Sequence, residues 1–193
     1  MADLVTETDR LRLRTWDFAD RAEFNCLLNT PAVMRWLGGV ADDAFSNAAF
    51  ERIDVYQREF GFTFWIVERK VDAALLGFCG LKRANAPGGE AFAGEIEIGW
   101  RLREDAWGQG YAQEAAIASL DLAFGRLAAP RVIAVTAHGN APSQKLMVRL
   151  GMIRRAEFDF VDQRFPPGSD VNPQVVFAIE AADWPAARAA ALG

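Results

Sequence analysis

The chain has 193 residues, of which 51% are hydrophobic and 24% charged, and its formal net charge is −5. This length is typical of one domain and this composition of a folded globular protein, so extensive disorder is excluded. The acidic balance argues against a general nucleic-acid partner. No apolar run reaches the roughly 18 residues of a membrane span, and the N-terminus lacks the apolar core of a secretory signal. We therefore expect a single cytoplasmic domain over residues 1–193, with its core at about 8–184 and no membrane partner.

The charge is unevenly distributed along the chain. Residues 1–99 have a net charge of −5, residues 100–155 a net charge of +4, and residues 156–193 a net charge of −4. A small anionic ligand bound at the basic middle segment would account for this pattern. Chance placement of the charges on solvated faces would account for it equally well.

The sequence offers few groups for metal or redox chemistry. Its two cysteines, Cys26 and Cys79, are too few for a disulfide framework. Together with the single histidine, His138, they do not supply the four close ligands of a structural zinc site, so no metal is expected. No cationic side chain adjoins Cys79 in the sequence, and a buried, inert thiol is predicted there.

Hydrophobic periodicity and capping residues predict the elements of the first half of the chain. In chain order they are a strand over residues 11–16, a helix capped by Asp17 and ending near Asn29, a short helix over 32–37, a helix from Asp42 or Asp43 to Phe60, and a hairpin of strands over 63–69 and 75–83.

The second half begins with a strand whose two faces differ. The side chains of Ile96, Ile98 and Trp100 are predicted on one face, and those of Glu95 and Glu97 on the other. The elements that follow are a helix ending near residue 127, a short buried strand over 132–135, a helix from about Asn140 to Gly151, and closing strands over 153–161 and 174–179. A strand, a helix and a strand in this order imply a parallel pair joined by a crossover. The predicted fold class is therefore α/β with a mixed sheet.

Two glycines, Gly108 and Gly110, lie where a loop becomes the helix after this strand. Such a position exposes backbone N–H groups and the positive end of the helix dipole, which together favour a phosphate. The Walker pattern is absent, and Gln113 stands where a dinucleotide fingerprint requires its third glycine. A tight turn that only caps the helix is the alternative interpretation of these glycines.

The same segment resembles a loop of the GNAT N-acetyltransferases. Residues 107–112 are similar to the family's Gln/Arg-x-x-Gly-x-Gly/Ala loop, with Gly110 and Ala112 in its last two fixed positions. The strand Glu97-Ile-Gly-Trp100 stands immediately before the loop, as the family's central strand does.

Further segments extend this resemblance over roughly residues 8–184. Residues 136–152 are similar to the family's helix that carries an asparagine, a serine three positions later and a closing glycine. Residues 8–14 and 31–37 resemble openings of the branch that includes the ribosomal-protein N-terminal alanine acetyltransferases. The resemblance implies a GNAT-like acyl-CoA N-acyltransferase fold, in which a central, mostly antiparallel sheet has one splayed parallel strand pair and flanking helices.

The resemblance also implies acetyl-CoA as the cosubstrate and assigns the residues that hold it. In the family, backbone amides of the loop bind the pyrophosphate, and the pantetheine arm lies between the splayed strands. The matching cosubstrate-binding residues in this sequence are Trp100, Arg101, Leu102, Trp107, Gly108, Gln109, Gly110, Tyr111, Ala112 and Asn140. Lys145 or Arg149 is a further candidate, for an adenosine phosphate.

Transfer of acetyl to a primary amine, by direct attack in a ternary complex, is the reaction that the resemblance implies. Glu97 matches an acidic residue of the central strand and is the candidate base, with Glu95 on the same face as the second choice. Met147 stands where many relatives have the tyrosine that protonates the leaving thiolate. Ser143 matches a serine that some relatives use instead, and it is the candidate acid. Trp107 also departs from the family's usual Gln or Arg.

An acetyl-CoA-dependent N-acetyltransferase is thus the leading interpretation, and a non-catalytic acyl-CoA-binding sensor is the alternative. The acceptor is either a protein N-terminus or a small amine or antibiotic. The acidic segments 1–99 and 156–193 favour a cationic acceptor of either kind. No nucleic acid is expected as a partner, and the chain is expected to be a monomer or a homodimer.

Overall fold

The computed structural model describes residues 2–166 and 168–193. Its internal contacts divide the chain into two compact units. The first unit comprises the chain up to Lys82 together with Gly99–Ser119, and the second comprises Arg83–Ile98 and the chain from Leu120 onward.

The first unit contains a run of antiparallel strands that are neighbours in chain order. They are β1 (Leu4–Glu7), β2 (Leu11–Arg14), β3 (Phe64–Arg69) and β4 (Leu75–Arg83), the last of which ends in the second unit. The helices between β2 and β3 are α1 (Asp20–Leu28), α2 (Pro31–Met34) and α3 (Asp43–Phe60). Apolar side chains from these strands and helices form one buried cluster, namely Phe24, Leu28, Val33, Phe50, Ile66, Leu75 and Phe78.

Helix α3 begins and ends where its sequence predicts. The carboxylate of Asp42 accepts the amide of Phe45 at 2.7 Å and so caps the first turn. Gly61 ends the helix with φ +74°, a conformation that glycine adopts without the steric cost of a Cβ atom.

The second unit contains the parallel strands. Its strands are β5 (Ile96–Leu102), which ends in the first unit, β6 (Arg131–Ala137), β7 (Ile153–Arg154) and β8 (Gln174–Glu180). Its helices are α4 (Tyr111–Gly125), which begins in the first unit, α5 (Ala141–Arg149) and α6 (Trp184–Leu192). β5 and β6 are parallel, with Ile96 opposite Val132 and Glu97 opposite Ile133, whereas β6 with β8 and β7 with β8 are antiparallel. The ladder between β5 and β6 is limited to those two residue pairs, as expected of a splayed pair.

The predicted fold class is confirmed: the described residues form eight strands, mostly antiparallel with one parallel pair, and flanking helices. The start of α1 was predicted wrongly. This helix begins at Asp20, because the amide of Asp17 donates to the Asp20 carboxylate at 2.7 Å and the Asp17 carboxylate accepts the amide of Ala19 at 3.2 Å. These two hydrogen bonds stabilise a turn ahead of the helix, so Asp17 caps that turn and not α1.

The predicted closing strand over residues 153–161 was also wrong for most of its length. Ile153–Arg154 pairs with β8, Ala156–Phe158 forms a 3-10 turn, and Phe160 forms an isolated bridge with Gln174 of β8. The ion pair of Arg154 with Asp159 holds the two sides of this turn together, so the chain leaves the sheet. Strand β1 and helix α6 had no counterpart among the predicted elements. In the part of the chain that the structure describes, no helix combines the length and the apolar character needed to span a bilayer.

Candidate active site

The glycine loop lies in the first unit and leads directly into α4. Gly108 and Gly110 have φ values of +71° and +81°. A Cβ atom at Gly108 would meet no heavy atom within 4 Å, and one at Gly110 would meet only Nη2 of Arg10, at 3.3 Å. Within the described chain, the backbone N–H groups of Gly108, Gln109 and Gly110 donate to no backbone carbonyl. The loop thus combines open space, accessible amide donors and a helix N-terminus, which suits a phosphate group.

Arg10 holds this loop in place, although it is 99 positions away from Gln109 in the sequence. Its Nη1 donates to the carbonyl of Gln109 at 3.0 Å, and its guanidinium lies 4.5 Å from the ring centroid of Tyr111. Its Nε donates to Glu114 in the first turn of α4 at 2.6 Å, and Glu114 also accepts the hydroxyl of Thr8 at 2.5 Å. Arg10 therefore fixes both the loop and the helix that follows. Arg10 was not predicted as a site residue, because it is one of many arginines and nothing local in the sequence marks it as a neighbour of residue 109.

Trp107 connects the loop to the end of β5. Its indole Nε1 donates to the carbonyl of Leu102 at 2.8 Å, while half of its surface stays exposed. Leu102 is buried and Trp100 is half-buried. Where the family usually has Gln or Arg, this chain therefore has an indole that is hydrogen-bonded to the end of β5.

The side chain of Arg101 lies in apolar surroundings in the first unit. Its Nη1 is 3.4 Å from the sulfur of Met34, and its guanidinium is 5.0 Å from the ring centroid of Phe78 and 5.5 Å from that of Phe24. Burial lowers the pKa of Arg101 to about 10, which leaves the group protonated at neutral pH. The backbone of Arg101 is closely packed as well, because a Cβ atom at Gly77 would lie 2.0 Å from its carbonyl oxygen.

Glu97 and Glu95, both in the second unit, have different surroundings. Glu95 forms a two-pronged ion pair with Arg131, in which Arg131 Nε donates at 2.7 Å. Glu97 is half-buried and opposite Ile133 in the parallel ladder. The pKa of Arg164 is raised, chiefly by its hydrogen bonds to Asp162 but also by the charge of Glu97, so Arg164 is within electrostatic range of Glu97.

Asn140 and Ser143 lie at the start of α5 in the second unit. Asn140 is the N-cap, and its Oδ1 accepts the amide of Ser143 at 3.4 Å. Its Nδ2 donates to the Thr136 hydroxyl at 2.9 Å, which fixes the orientation of the amide. The cap predicted as the alternative role of Asn140 is therefore present, and its contact with a cosubstrate stays a prediction. Ser143 is half-buried.

A groove of about 460 Å³ runs along α5. Its lining residues include Lys145 and Arg149, together with Gln144, Val148 and the ring of Phe177. The groove therefore combines two positive charges with the apolar side chains of Val148 and Phe177.

The described residues include no group of three His, Cys, Asp or Glu side chains placed to hold a metal ion. Cys79 is buried, its Sγ lies 3.6 Å from the Ser119 hydroxyl, and burial raises the pKa of its thiol to about 12. Cys26 is exposed.

Comparison with known proteins identifies the class. Residues 10–153 match the acetyltransferase (GNAT) domain, and the chain belongs to this family. The uncharacterised protein YkkB of Bacillus subtilis is 33% identical over 146 residues, which is 75% of this chain and 83% of that protein. The uncharacterised N-acetyltransferase YjdG of the same organism is 29% identical over 163 residues, 78% of this chain and 90% of YjdG. The crystal structure of an acetyltransferase from Agrobacterium tumefaciens has a TM-score of 0.73 at 25% identity, covering 91% of this chain and 93% of that one.

The chain is accordingly an N-acetyltransferase, as its sequence predicts. The family uses acetyl-CoA as its cosubstrate and amines as acceptors. The glycine loop fits a diphosphate, because its positive φ values, its unpaired amides and its open space are those a phosphate requires. The roles of the individual residues stay predictions.

Proposed function

We propose that the chain transfers acetyl from acetyl-CoA to a primary amine by direct attack in a ternary complex, with the roles assigned as follows. The observation that carries the proposal is the glycine loop at the start of α4, braced by Arg10 and open on its glycine side. The loop residues Trp107, Gly108, Gln109, Gly110, Tyr111 and Ala112 hold the pyrophosphate through their backbone.

Glu97 is the base in this proposal. A primary ammonium group has a pKa of about 10 and becomes nucleophilic only after it loses a proton. A carboxylate in direct contact, or one water away, accepts that proton. Glu97 is preferred over Glu95 because Glu97 matches the acidic residue of the family's central strand, whereas the Glu95 carboxylate is held in a bidentate ion pair by Arg131.

Ser143 is the acid in this proposal and protonates the sulfur of the leaving thiolate. Met147 at the family's tyrosine position is buried and has no proton to donate. Asn140 holds Ser143 at the first turn of α5 through the cap hydrogen bond. In this proposal Trp100, Arg101 and Leu102 contribute backbone groups to the cosubstrate, and Lys145 or Arg149 binds a phosphate of its adenosine; the position of both cations in the α5 groove supports that role.

The acceptor is proposed to be a protein N-terminus or a small amine. The similarity of residues 31–37 to the ribosomal-protein branch supports the protein N-terminus. The proposal includes one domain over residues 1–193, a cytoplasmic location and a monomer or homodimer.

An acceptor screen tests the proposed function. The purified chain is incubated with acetyl-CoA and a panel of amines, including small diamines, amino acids and peptides with free N-termini, and released thiol is measured. Amine-dependent release of thiol, with an acetylated amine found by mass spectrometry, is expected. Tight binding of acetyl-CoA without turnover on the whole panel would contradict an enzyme and favour the acyl-CoA sensor, for which the buried Met147 is the supporting observation.

A further inference from the structure

Arg101 carries a charge that no other described group neutralises. Its Nε is buried and donates to no acceptor, and its Nη1 meets only the thioether of Met34, a weak acceptor. No described carboxylate forms an ion pair with it, whereas Arg14 in the same unit is paired with both Asp20 and Glu68. A desolvated guanidinium without a counterion lacks the anion that would normally balance its charge.

The surroundings of Arg101 compensate for only part of this cost. Removing a charge from water costs several kcal/mol even in a real protein interior. The rings of Phe24 and Phe78 at 5.5 and 5.0 Å offset some of it through cation–π attraction. Arg101 as a whole residue is only partly buried, so its site is not sealed from solvent. An anion that arrives there would gain the full strength of a charge-assisted hydrogen bond in surroundings from which water is largely excluded.

We propose that Arg101 binds a carboxylate of the amine acceptor, so that the enzyme prefers acceptors that carry both an amine and a carboxylate. This inference rests on the proposed function. A single guanidinium beside aromatic rings suits a singly charged, planar carboxylate, which accepts two parallel N–H donors. A phosphate is usually held by several donors at once, as the glycine loop offers. Phe24, Phe78 and Met34 favour an apolar segment between the acceptor's carboxylate and its amine.

Matched acceptors test the preference. The probes are the linear ω-amino acids from 3-aminopropanoate to 8-aminooctanoate, each beside its carboxamide, with thiol release as the readout. For the best chain length we expect kcat/KM of the wild type to be at least about tenfold higher for the amino acid than for its carboxamide. In Arg101→Gln the ratio of kcat/KM between amino acid and carboxamide falls to about one, mainly through a higher KM for the amino acid.

Two further variants sharpen this experiment. Arg101→Lys keeps the charge but loses the planar fork, so it is expected to retain a part of the preference. Arg52→Gln removes an exposed arginine of α3 and is expected to leave the preference unchanged. An equal wild-type kcat/KM for amino acids and carboxamides at every chain length would overturn the inference, and this comparison needs no variant that might misfold.

Benzoate and benzamide test the site without acetyl transfer. Calorimetry and thermal shift should detect binding of benzoate to the wild type but not to Arg101→Gln, and no binding of benzamide to either. Benzoate binding together with no acetylation of any amine would contradict the proposed function and would still support the carboxylate site. Acetylation of amines with no benzoate binding would overturn the carboxylate site alone. A loss of acetyl-CoA binding in a folded Arg101→Gln would also overturn it, because the anion would then belong to the cosubstrate.

Discussion

Glu97 lies on β5 and Glu95 immediately precedes this strand, where it forms a bidentate ion pair with Arg131. Replacing Glu97 with Gln keeps the shape of the side chain and removes the proton acceptor. We expect kcat to fall by about 10²–10⁴, the usual contribution of a general base, with acetyl-CoA affinity within a few-fold of the wild type. The residual rate should rise with pH, because more of the amine is already deprotonated. Steady-state kinetics from pH 6 to 10 and calorimetry check both effects.

Glu95→Gln is the matched control for this experiment. It breaks a partly exposed ion pair, which contributes about 0–1 kcal/mol to stability, and should change kcat far less. A Glu97→Gln variant with an undiminished rate and a wild-type pH profile would remove Glu97 from the mechanism.

The two cysteines are expected to differ in reactivity. Cys26 is exposed, whereas burial raises the pKa of the Cys79 thiol to about 12, so almost no thiolate forms there at pH 8. In the native protein, Ellman's reagent should therefore titrate one thiol quickly and the second only in denaturant. Cys26→Ser should lose the fast phase. Two fast thiols in the wild type would show that Cys79 is accessible.

Single residues also show why the site could be predicted only in part from the sequence. The loop glycines form a local pattern, so their position before a helix was predictable. Arg10 and Arg101 act through contacts with Gln109 and Met34, 99 and 67 positions away in the sequence. Such pairings depend on the tertiary fold, and a single sequence gives no sign of them.

At the scale of an element, the turn from β5 into α4 depends on the backbone of Gly110. Valine there would pay about 1–2 kcal/mol for a φ near +81°, and its branched side chain would stand where a phosphate approaches. We expect Gly110→Val to weaken acetyl-CoA binding by at least about 100-fold in calorimetry. Gly61→Val is the control, since Gly61 has φ +74° and open space at the end of α3, and it should cost stability but not affinity. Unchanged affinity in a folded Gly110→Val would refute the assignment of the loop.

The elements that were predicted correctly carry their own start and stop signals. Helix α3 has an aspartate cap and a closing glycine, and the hairpin of β3 and β4 has two apolar runs around a turn. The strand over 153–161 failed because its apolar residues suit a strand, whereas the Arg154–Asp159 ion pair closes a turn. Helix α6 was missed because its alanine-rich sequence has little polar contrast between its faces.

Carboxylates from outside the basic middle segment neutralise part of its charge. Arg131 and Arg154 are paired with Glu95 and Asp159, respectively. The positive net charge of residues 100–155 is therefore a weaker indication of an anionic ligand than the sequence suggests, and the glycine loop and Arg101 are the stronger ones.

Glu114 contributes to the loss of stability of the fold in acid. Burial raises its pKa, but hydrogen bonds from Thr8 and from the amide and guanidinium of Arg10 outweigh this effect and hold the pKa below its ordinary value of 4.5. A carboxyl group with a lowered folded-state pKa stabilises the protein above its unfolded-state pKa, and this contribution is lost as the pH falls below about 4.5. Thermal denaturation should show Tm falling from pH 5 to pH 3. Glu114→Gln should flatten that fall, and the exposed Glu59→Gln should not.

The fluorescence of the Trp107 indole is expected to report the binding of acetyl-CoA. The indole is half exposed, tied to Leu102 at 2.8 Å and adjacent to the glycines proposed to hold the pyrophosphate. Its fluorescence should therefore shift as acetyl-CoA displaces water from the ring. A titration followed at the emission maximum would report occupancy directly, with no label and no acceptor present. Trp107→Phe should remove most of the signal, and any remainder is expected from Trp100, the other tryptophan proposed at the cosubstrate.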